Sequence, residues 1–252
     1  MPIRKVALVT GSGKRRVGAV VAEALAAKGY SLVVHYRRSA ADAAEAVEAF
    51  RTRGVEAVAI QADLADERSA RALVEKTLAH FGRVDVLVNC AGAWESKKFE
   101  DVTADDVRHY FEANTLGTFL CSQQAGLEMV RQPEGGCIVT VGDWAVARPY
   151  ANYAAYFPSK GAIPTLTRTL AVELGSRNPN VRVNCILPGP VMLPPDLPEA
   201  ERRAAIDATL VKREGRPEHV AHAVLFLVEN DFVTGVCLPV DGGRTIYAPD
   251  SA

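Results

Sequence analysis

Two side chains four residues apart, Tyr156 and Lys160, have the types and spacing needed for proton transfer. On a helix this spacing puts both on one face, so the ammonium can lie near the phenol. A nearby positive charge stabilises the phenolate, lowers the phenol's pKa and makes tyrosine a workable general acid. A packed tyrosine beside a surface lysine is the alternative interpretation. Further motifs are therefore needed to support an active site.

A glycine-rich turn follows the first predicted strand. Val6–Thr10 leads into Gly11, Gly13 and Gly18, ahead of an alanine-rich helix. Glycines allow a tight turn and close approach of a pyrophosphate, and the helix's amino end offers free N–H groups. The spacing differs from the common G-x-G-x-x-G, so a plain strand-to-helix turn is the alternative. Its position after the first strand favours a dinucleotide site.

Basic residues follow the second predicted strand, where NAD-binding proteins usually carry an acid for the ribose 2′-hydroxyl. Arg37, Arg38 and Ser39 stand there, and no acid occurs before Asp42. Guanidinium groups suit a 2′-phosphate because arginine makes charge-assisted, often bidentate contacts. Lys14–Arg16 add positive charge from the neighbouring turn. The pattern predicts NADP(H) rather than NAD(H), with a solvated basic surface as the alternative.

These motifs lie in a chain that alternates short β-branched runs with longer helical stretches. Near-continuous apolar strands separated by helices predict an α/β fold: one doubly wound Rossmann domain over residues 1–252, its parallel sheet covered by helices on both faces. Its ligands are expected at the carboxyl ends of the strands. The predicted strands are Val6–Val9, Ser31–His35, Ala57–Ile60, Val84–Val88, Cys137–Val141 and Val181–Ile186. The predicted helices are Gly18–Lys28, Ala40–Arg53, Glu67–Phe81, Ala104–Arg131, Asn152–Ser176 and Pro217–Glu229.

The composition excludes several classes of protein. With 29 Lys+Arg against 30 Asp+Glu, the net charge is −1, so nucleic acid is not expected as a partner. No apolar run is long enough to span a bilayer, and no signal-peptide pattern precedes the first strand. The five cysteines form no C-x-x-C pair and are expected to be buried free thiols rather than disulfides or metal ligands. The sequence predicts a cytoplasmic protein with a small-molecule ligand and no metal, nucleic acid or membrane partner.

Motifs at the predicted strand ends give the chain its resemblance to the short-chain dehydrogenase/reductases, which extends over nearly its whole length. The matching segments are Asp63-Leu64, Asn89-Cys90-Ala91-Gly92, Asn114, Tyr156-x-x-x-Lys160 and Pro188-Gly189. The resemblance implies that Tyr156 donates a proton, that Lys160 binds the nicotinamide ribose and tunes the tyrosine, and that Asn114 holds a water in a proton relay. It also implies that Asp63 meets the adenine and that the protein forms a homotetramer.

The resemblance and the basic residues together predict a set of cofactor-binding positions. The first turn is one residue longer than in the pteridine reductases, a subgroup of this family whose turn carries a single arginine. The sequence therefore leaves open whether Arg15 or Arg16 corresponds to that arginine. The predicted cofactor-binding residues are Gly11, Lys14, Arg15, Arg16, Val17, Arg37, Arg38, Ser39, Asp63, Leu64, Asn89, Ala91, Gly92, Lys160, Pro188 and Gly189.

Asp143 stands thirteen residues before Tyr156, where the family usually carries a serine. A serine hydroxyl can donate a hydrogen bond to a substrate carbonyl as negative charge develops, whereas an ionised carboxylate only accepts. Simple ketone reduction is therefore disfavoured unless Asp143 is protonated. A ring rich in N–H donors, or a C=N bond that needs a proton on nitrogen, matches a carboxylate better. The predicted catalytic residues are Tyr156, Lys160, Asp143 and Asn114.

The Asp…Tyr-x-x-x-Lys pattern makes the chain similar to the pteridine reductases and dihydromonapterin reductases within the family. Their second strand ends in a His-Tyr-x-Arg-Ser motif, like His35–Ser39 here, which implies that Arg38 and Ser39 hold the 2′-phosphate. The resemblance further implies that Trp94 stacks on a pterin ring, with an ordinary pocket or interface aromatic as the alternative. The predicted substrate-binding residues are Trp94, Asp143 and Tyr156.

Prolines mark two further features. Pro158 and Pro164 each remove a helical N–H and crowd the preceding turn, so we expect a kink or a late helix start near Tyr156. The proline-rich segment 190–215 corresponds to the family's substrate lid, with an exposed surface loop as the alternative.

Three hypotheses follow for the function. The first is an NADPH-dependent reductase of a pterin-like C=N bond, with the proton supplied through Tyr156. The second keeps the fold and makes the protein a carbonyl or 3-oxoacyl-type reductase. The third is a catalytically silent NADP-binding sensor, against which the intact Tyr156, Lys160 and Asn114 argue.

Overall fold

The computed structural model describes residues 4–248, and its centre is a seven-stranded parallel sheet. The strands are β1 (Val6–Thr10), β2 (Ser31–Tyr36), β3 (Ala57–Gln61), β4 (Val86–Asn89), β5 (Gly136–Val141), β6 (Val181–Pro188) and β7 (Cys237–Val240). Their order across the sheet is β3-β2-β1-β4-β5-β6-β7. The winding direction reverses between β1 and β4, which is where such sheets open a crevice for ligands.

Helices cover both faces of the sheet. They are α1 (Val17–Ala27), α2 (Ala40–Arg51), α3 (Glu67–Phe81), α4 (Ala104–Tyr110), α5 (Gly117–Arg131), α6 (Tyr156–Gly175), α7 (Glu199–Asp207) and α8 (Pro217–Glu229). Alternate residues of β1 feed two cores: Ala7 and Val9 pack with α1, α2 and α8, while Val6 and Leu8 pack with α3, α5 and α6. The predicted doubly wound Rossmann fold is confirmed.

Strand β7 and helix α7 were not predicted from the sequence. β7 contains Pro239, which cannot donate to a sheet ladder. The strand is at the edge of the sheet, where the missing N–H breaks no pairing with a further strand. Helix α7 lies inside the predicted lid 190–215, which is therefore not wholly a loop. The predicted start of β4 at Val84 was also wrong: its N–H donates to the Gln132 side chain at 3.1 Å, and the strand begins at Val86.

The predicted helix Ala104–Arg131 is broken by a π-helical turn. Residues Phe111–Leu116 join α4 to α5 in this wider conformation, and Asn114 lies within it. Such turns are rare and often occur at functional sites, because they shift the backbone out of regular α-helical register. The apolar periodicity of the sequence does not reveal the change.

The expected late start of the next helix is confirmed, since α6 begins at Tyr156. Pro158 therefore lies in the first turn, where a backbone N–H has no helical partner to lose. Pro164 lies inside the helix and leaves the Lys160 carbonyl without its usual donor. Tyr156 and Lys160 nevertheless belong to one continuous helix.

The described part of the chain bears on the cysteines, on membrane spans and on metal sites. All five cysteines are free, although Cys90 and Cys237 are only partly buried. No helix among residues 4–248 is long and apolar enough to cross a membrane, and no group of His, Cys, Asp and Glu there could hold a metal ion.

Candidate active site

The glycine turn brings β1 close to β4. Gly11 has a φ of +67°, and a Cβ built there would lie 3.0 Å from the Ala91 backbone. A Cβ on Gly18 would lie 2.8 Å from the Gly11 carbonyl, so the turn leaves no room for a side chain. The amino end of α1 has no side-chain cap and no acid in its first turn. Its N–H groups are therefore free to meet an anion.

His35, near the end of β2, supports this turn through hydrogen bonds. The Gly11 N–H donates to Nδ1 of His35 at 2.9 Å, and Nε2 lies 3.1 Å from the Ala62 carbonyl. Because Nδ1 accepts, the imidazole is neutral and donates through Nε2–H to Ala62. Burial lowers the pKa of His35, which favours this neutral form. One buried ring thus links the turn after β1 to the end of β3.

Five cations border the turn and form what we call the basic corner: Lys14, Arg15, Arg16, Arg37 and Arg38. All are exposed, and within residues 4–248 none of them forms an ion pair. Ser39 lies beside them, its hydroxyl donating to the Gly13 carbonyl at 3.3 Å. The corner is therefore an uncompensated positive surface beside an uncapped helix, which suits a phosphate group.

The remaining predicted cofactor positions lie along the same edge of the sheet. Ala91 is fixed by its N–H, which donates to the Thr10 hydroxyl at 3.0 Å. Asn89 is buried and donates to the Ser122 hydroxyl at 3.0 Å, while its Oδ1 has no partner in the described chain. Asp63 follows β3 and accepts from the Ala65 N–H at 3.2 Å. Leu64 packs under Gly117, Val17 opens α1, and Pro188 and Gly189 end β6 beside β7.

Tyr156 and Asp143 form a direct hydrogen bond. The phenol Oη donates to Asp143 Oδ2 at 2.8 Å, and Oδ1 accepts from the Ala145 N–H at 2.8 Å. Burial raises the pKa of Asp143. Burial and then the Asp143 charge raise the pKa of Tyr156 strongly, which reverses the lowering expected from Lys160. In the chain alone, a desolvated phenol beside a carboxylate is held in its protonated form.

Lys160 lies one turn further along α6 and is 7% exposed. Its Nζ donates to the Val141 carbonyl at 2.9 Å, and burial lowers its pKa. A Cβ on Gly92 would lie 3.4 Å from this Nζ and 3.1 Å from Asn114 Oδ1, so the two side chains converge under Gly92. We call Asp143, Tyr156 and Lys160 the catalytic group.

Asn114 is completely buried in the π-helical turn and holds the backbone around Gly92. Its Oδ1 accepts from the Ala93 N–H at 2.8 Å, and its Nδ2 donates to the Ala93 carbonyl and to the Ser159 hydroxyl, both at 3.0 Å. Thr118 donates to its backbone carbonyl at 2.7 Å. The side chain therefore fixes the loop after β4 against α6; its role in a proton relay stays a prediction.

Aromatic rings surround the phenol of Tyr156. Trp94 is 47% exposed and stacks on Tyr153, with ring centroids 6.2 Å apart and planes 22° apart. The ring centroid of Tyr153 lies 6.1 Å from that of Tyr156, and the ring centroid of Tyr110 lies 6.0 Å from that of Tyr156. These flat, partly exposed walls suit a planar substrate ring. Sequence reasoning found Trp94 but missed the tyrosines, whose signal was the cluster of aromatic residues just before Tyr156.

The predicted lid is held together by one ion pair. Arg202 of α7 lies 2.8 Å from Glu214 and donates to the Pro194 carbonyl at 2.6 Å. Glu214 also accepts from the Leu193 N–H at 2.7 Å. The two ends of the segment are thereby drawn together over the carboxyl end of β6.

A nicotinamide dinucleotide fits the residues along this edge. The glycine turn and α1 would take the pyrophosphate, the basic corner would take a phosphate on the adenosine ribose, and Lys160 lies below Gly92 where a ribose hydroxyl could be met. Such a cofactor supplies the hydride for a reduction. Tyr156, whose phenol is held in its protonated form, is the residue at this edge that could act as the proton source.

A doubly wound sheet with a glycine turn and a buried tyrosine–lysine pair at its carboxyl edge defines a nucleotide-dependent oxidoreductase. The sequence profile of a family described as Enoyl-(Acyl carrier protein) reductase matches residues 12–245. The chain belongs to the short-chain dehydrogenase/reductase family, and it is an NAD(P)-dependent short-chain oxidoreductase.

Relatives and solved structures agree with this assignment. Versicolorin reductase 1 of Aspergillus parasiticus is 34% identical over 256 residues, covering 95% of each chain. The crystal structure of acetoin dehydrogenase from Enterobacter cloacae matches with a TM-score of 0.90 at 33% identity, covering 100% of each chain. A short-chain dehydrogenase from Burkholderia cenocepacia, solved in complex with NADP, matches with a TM-score of 0.88 at 34% identity, covering 97% of this chain and 99% of that one.

Proposed function

We propose that the protein is an NADPH-dependent reductase of a carbonyl group carried by a planar, aromatic-type substrate. The observation that carries this proposal is the 2.8 Å hydrogen bond between Tyr156 and Asp143, inside walls of aromatic side chains. A phenol whose pKa is raised keeps its proton until an oxyanion develops next to it, which is the protonation state that a proton donor in reduction requires.

Asp143 is compatible with a carbonyl substrate in its protonated form. Burial raises its pKa, so the neutral carboxyl, which can donate a hydrogen bond, is favoured relative to an exposed aspartate. In that state the Asp143 O–H would donate to the substrate oxygen, and Tyr156 would turn its single O–H from Asp143 Oδ2 to the same oxygen, as a serine and a tyrosine would. The acetoin dehydrogenase named above takes its name from a hydroxyketone.

NADP(H) is the proposed cofactor because the basic corner has no acidic residue that could accept a hydrogen bond from the ribose 2′-hydroxyl of NAD(H). Arg37 and Arg38 are exposed and unpaired within the described residues, and a similar structure holds NADP. The homotetramer also stays a proposal from the family resemblance, to be tested by light scattering of the purified protein.

The second candidate is reduction of a pterin-like C=N bond, which the acceptor character of ionised Asp143 favours. An ionised carboxylate would hold the N–H and amino groups of a pterin ring, with Trp94 beside it and Tyr156 supplying the proton. The two candidates differ in the protonation state that they require of the same residue.

NADPH oxidation distinguishes them, measured with aromatic ketones and quinones on one side and with dihydrobiopterin and dihydrofolate on the other. Asp143→Ser restores the usual family residue; it should preserve carbonyl reduction and abolish pterin reduction. Carbonyl reduction by the parent enzyme should fall as the pH rises through the pKa of Asp143, and this fall should vanish in Asp143→Ser. Brisk pterin turnover without ketone turnover would overturn the first candidate.

A further inference from the structure

A cavity of about 300 Å³ lies beside the catalytic group, between the turn that follows Asp143 and the last described segment of the chain. We call it the C-terminal pocket. Its lining residues are Trp144, Arg148, Pro149, Tyr150, Ala208, Arg244 and Tyr247. None of them was singled out by the sequence, and none has a part in the chemistry described above.

The pocket is connected to the reaction centre through aromatic contacts. Trp144 follows Asp143 directly and stacks on Tyr150 with ring centroids 6.1 Å apart. Tyr150 packs 5.1 Å from Tyr153, which in turn lies 6.1 Å from Tyr156. The wall of aromatic rings beside Tyr156 therefore continues to the C-terminal pocket.

Positive charge in the pocket is not neutralised by the described chain. The Arg244 guanidinium lies 4.8 Å above the Trp144 ring and donates to the Ala205 carbonyl at 3.1 Å. Arg148 donates to the backbone carbonyls of Arg244 and Tyr247. Neither arginine forms an ion pair within residues 4–248. Burial and the Arg148 charge lower the pKa of Arg244, the direction expected for cations crowded without an anion.

A third cation closes the rim. The Lys212 ammonium lies 4.3 Å above the Tyr247 ring and donates to the Asp207 carbonyl at 2.6 Å. The same Nζ donates to the Tyr247 hydroxyl at 3.2 Å. Like the contacts of the two arginines, those of Lys212 are made with neutral groups rather than with carboxylates. Holding the C-terminal segment in place accounts for some of these donors. A guanidinium has five N–H groups, however, so donors and charge remain on both arginines after those bonds are made.

We propose that the C-terminal pocket binds a carboxylate on the substrate, so that the enzyme selects planar substrates with an acidic substituent. The proposal rests on the proposed function only for the identity of the reacting ring. Binding of the carboxylate does not depend on that function. Arg148 and Arg244 would pair with the carboxylate, and the faces of Trp144 and Tyr150 would hold the adjoining carbon skeleton.

Direct binding tests the pocket without any turnover. The probes are 2-naphthoate and its neutral match 2-naphthamide, titrated in the absence of cofactor. The chain has two tryptophans, so in a Trp94→Phe background the fluorescence reports Trp144 alone. We expect the acid to bind about tenfold more tightly than the amide, the affinity equivalent of one charge-assisted hydrogen bond. The titration is repeated with Asp250→Asn, because Asp250 carries a carboxylate and lies outside the described residues.

Matched variants locate the charge that matters. Arg148→Gln and Arg244→Gln should each remove most of the preference for the acid, and Arg244→Lys should retain part of it. Arg168→Gln removes an exposed cation elsewhere on α6 that forms no ion pair within residues 4–248, and it should change nothing. Arg244 also holds Ala205, and Arg148 also holds the carbonyls of Arg244 and Tyr247, so the thermal stability of each variant is measured beside its affinity. Arg148→Lys keeps the charge and a donor and should retain part of the preference. Equal affinity for acid and amide, or a preference that survives Arg148→Gln, would overturn the proposal.

Kinetics then separate this proposal from the proposed function. Arg148→Gln should raise the KM of an acidic substrate about tenfold at unchanged kcat, and leave a neutral analogue unaffected. The substrate pairs are a carboxylated and an uncarboxylated aromatic ketone, and dihydrofolate against dihydrobiopterin. If the protein binds the acid more tightly than the amide but reduces neither ring type, the proposed function is wrong and the carboxylate-binding pocket is supported. If the protein reduces either ring type but shows no preference for the acid, the proposed function is supported and the carboxylate-binding pocket is wrong.

Discussion

Two groups of ionisable residues lie at the same edge of the sheet and differ in their exposure to water. The catalytic group is largely enclosed by protein, and burial displaces the pKa of each member toward its neutral form: up for Asp143 and Tyr156, down for Lys160. The basic corner projects into solvent, and its five cations form no ion pair in the described chain.

The difference separates reaction chemistry from ligand affinity. Inside the protein, every unpartnered polar group is costly, so the fold supplies partners at fixed distances and sets each protonation state. At the surface, water and salt screen each charge until an anion binds. Substitutions in the catalytic group should therefore change rates, whereas substitutions in the basic corner should change cofactor affinity and its salt dependence.

The largest effect is expected for Tyr156→Phe, which removes the proton donor and keeps the ring. Loss of a general acid should lower kcat by about 10²–10⁴-fold, measured by NADPH oxidation with a reducible substrate. Cofactor affinity and thermal stability should change little. Tyr153→Phe, which alters a neighbouring ring of the same wall, should retain most of the activity. A Tyr156→Phe enzyme with the parent rate would remove the catalytic group from the mechanism.

A substitution at His35 tests whether burial also displaces the pKa of a residue under the basic corner toward its neutral form, as it does in the catalytic group. Its pKa in the folded chain lies below the ordinary value of 6.5. Between these two values the unfolded chain binds more protons, so stability should fall as the pH is lowered through that window. His35→Gln should cost about 1–3 kcal/mol at neutral pH, since buried hydrogen bonds are lost.

Urea unfolding at pH 7.5 and at pH values below 6.5 measures both effects of the His35 substitution. The variant should show a weaker loss of stability on acidification than the parent chain. His222→Gln is the matched control, because His222 is exposed on α8. An unchanged pH dependence in His35→Gln would show that the histidine does not titrate as its burial implies.

Arg38→Ala should have a smaller effect, limited to the cofactor. Losing one phosphate contact should raise the KM of NADPH by about tenfold, equivalent to about 1.4 kcal/mol, and leave the KM of NADH nearly unchanged. Added salt should weaken NADPH binding to the parent and shrink the difference between the two proteins. A comparable loss with NADH would show that the corner does not read the 2′-phosphate.

The smallest effect is expected where charges are exposed and already paired. Arg53 lies 2.8 Å from Glu23, and both side chains are about half exposed. Arg53→Gln should change the free energy of unfolding by less than about 1 kcal/mol, because solvent screens such a pair. A larger loss in urea unfolding would contradict the distinction between buried and exposed charge.

The architecture was largely predictable because apolar periodicity records which residues the sheet and its helices bury. The misses have local causes. Pro239 in β7 looks unsuited to a strand and is tolerated only because that strand is an edge. The π-helical turn around Asn114 keeps the apolar pattern of an ordinary helix, and α7 lies among prolines that resemble a loop.

The candidate site was predictable as a set of residue types and less so as a geometry. Tyr156, Lys160, Asp143 and Asn114 were identified from motifs, and they lie together around the end of β5 and the start of α6. The direction of the Tyr156 pKa was predicted wrongly, because the sequence showed the lysine and not the burial of the phenol beside Asp143.

The amino-acid sequence by itself determined the class of this protein: the order of strands and helices, the glycine turn, the cations that follow β2 and the tyrosine–lysine pair. These are local patterns, and local physics is enough to interpret them. The tertiary structure alone decided that Asp143 accepts from Tyr156, that His35 joins two strand ends, and that Arg244 lies over Trp144. Those contacts join residues distant in the chain, and their distances and protonation states depend on how the packed core excludes water.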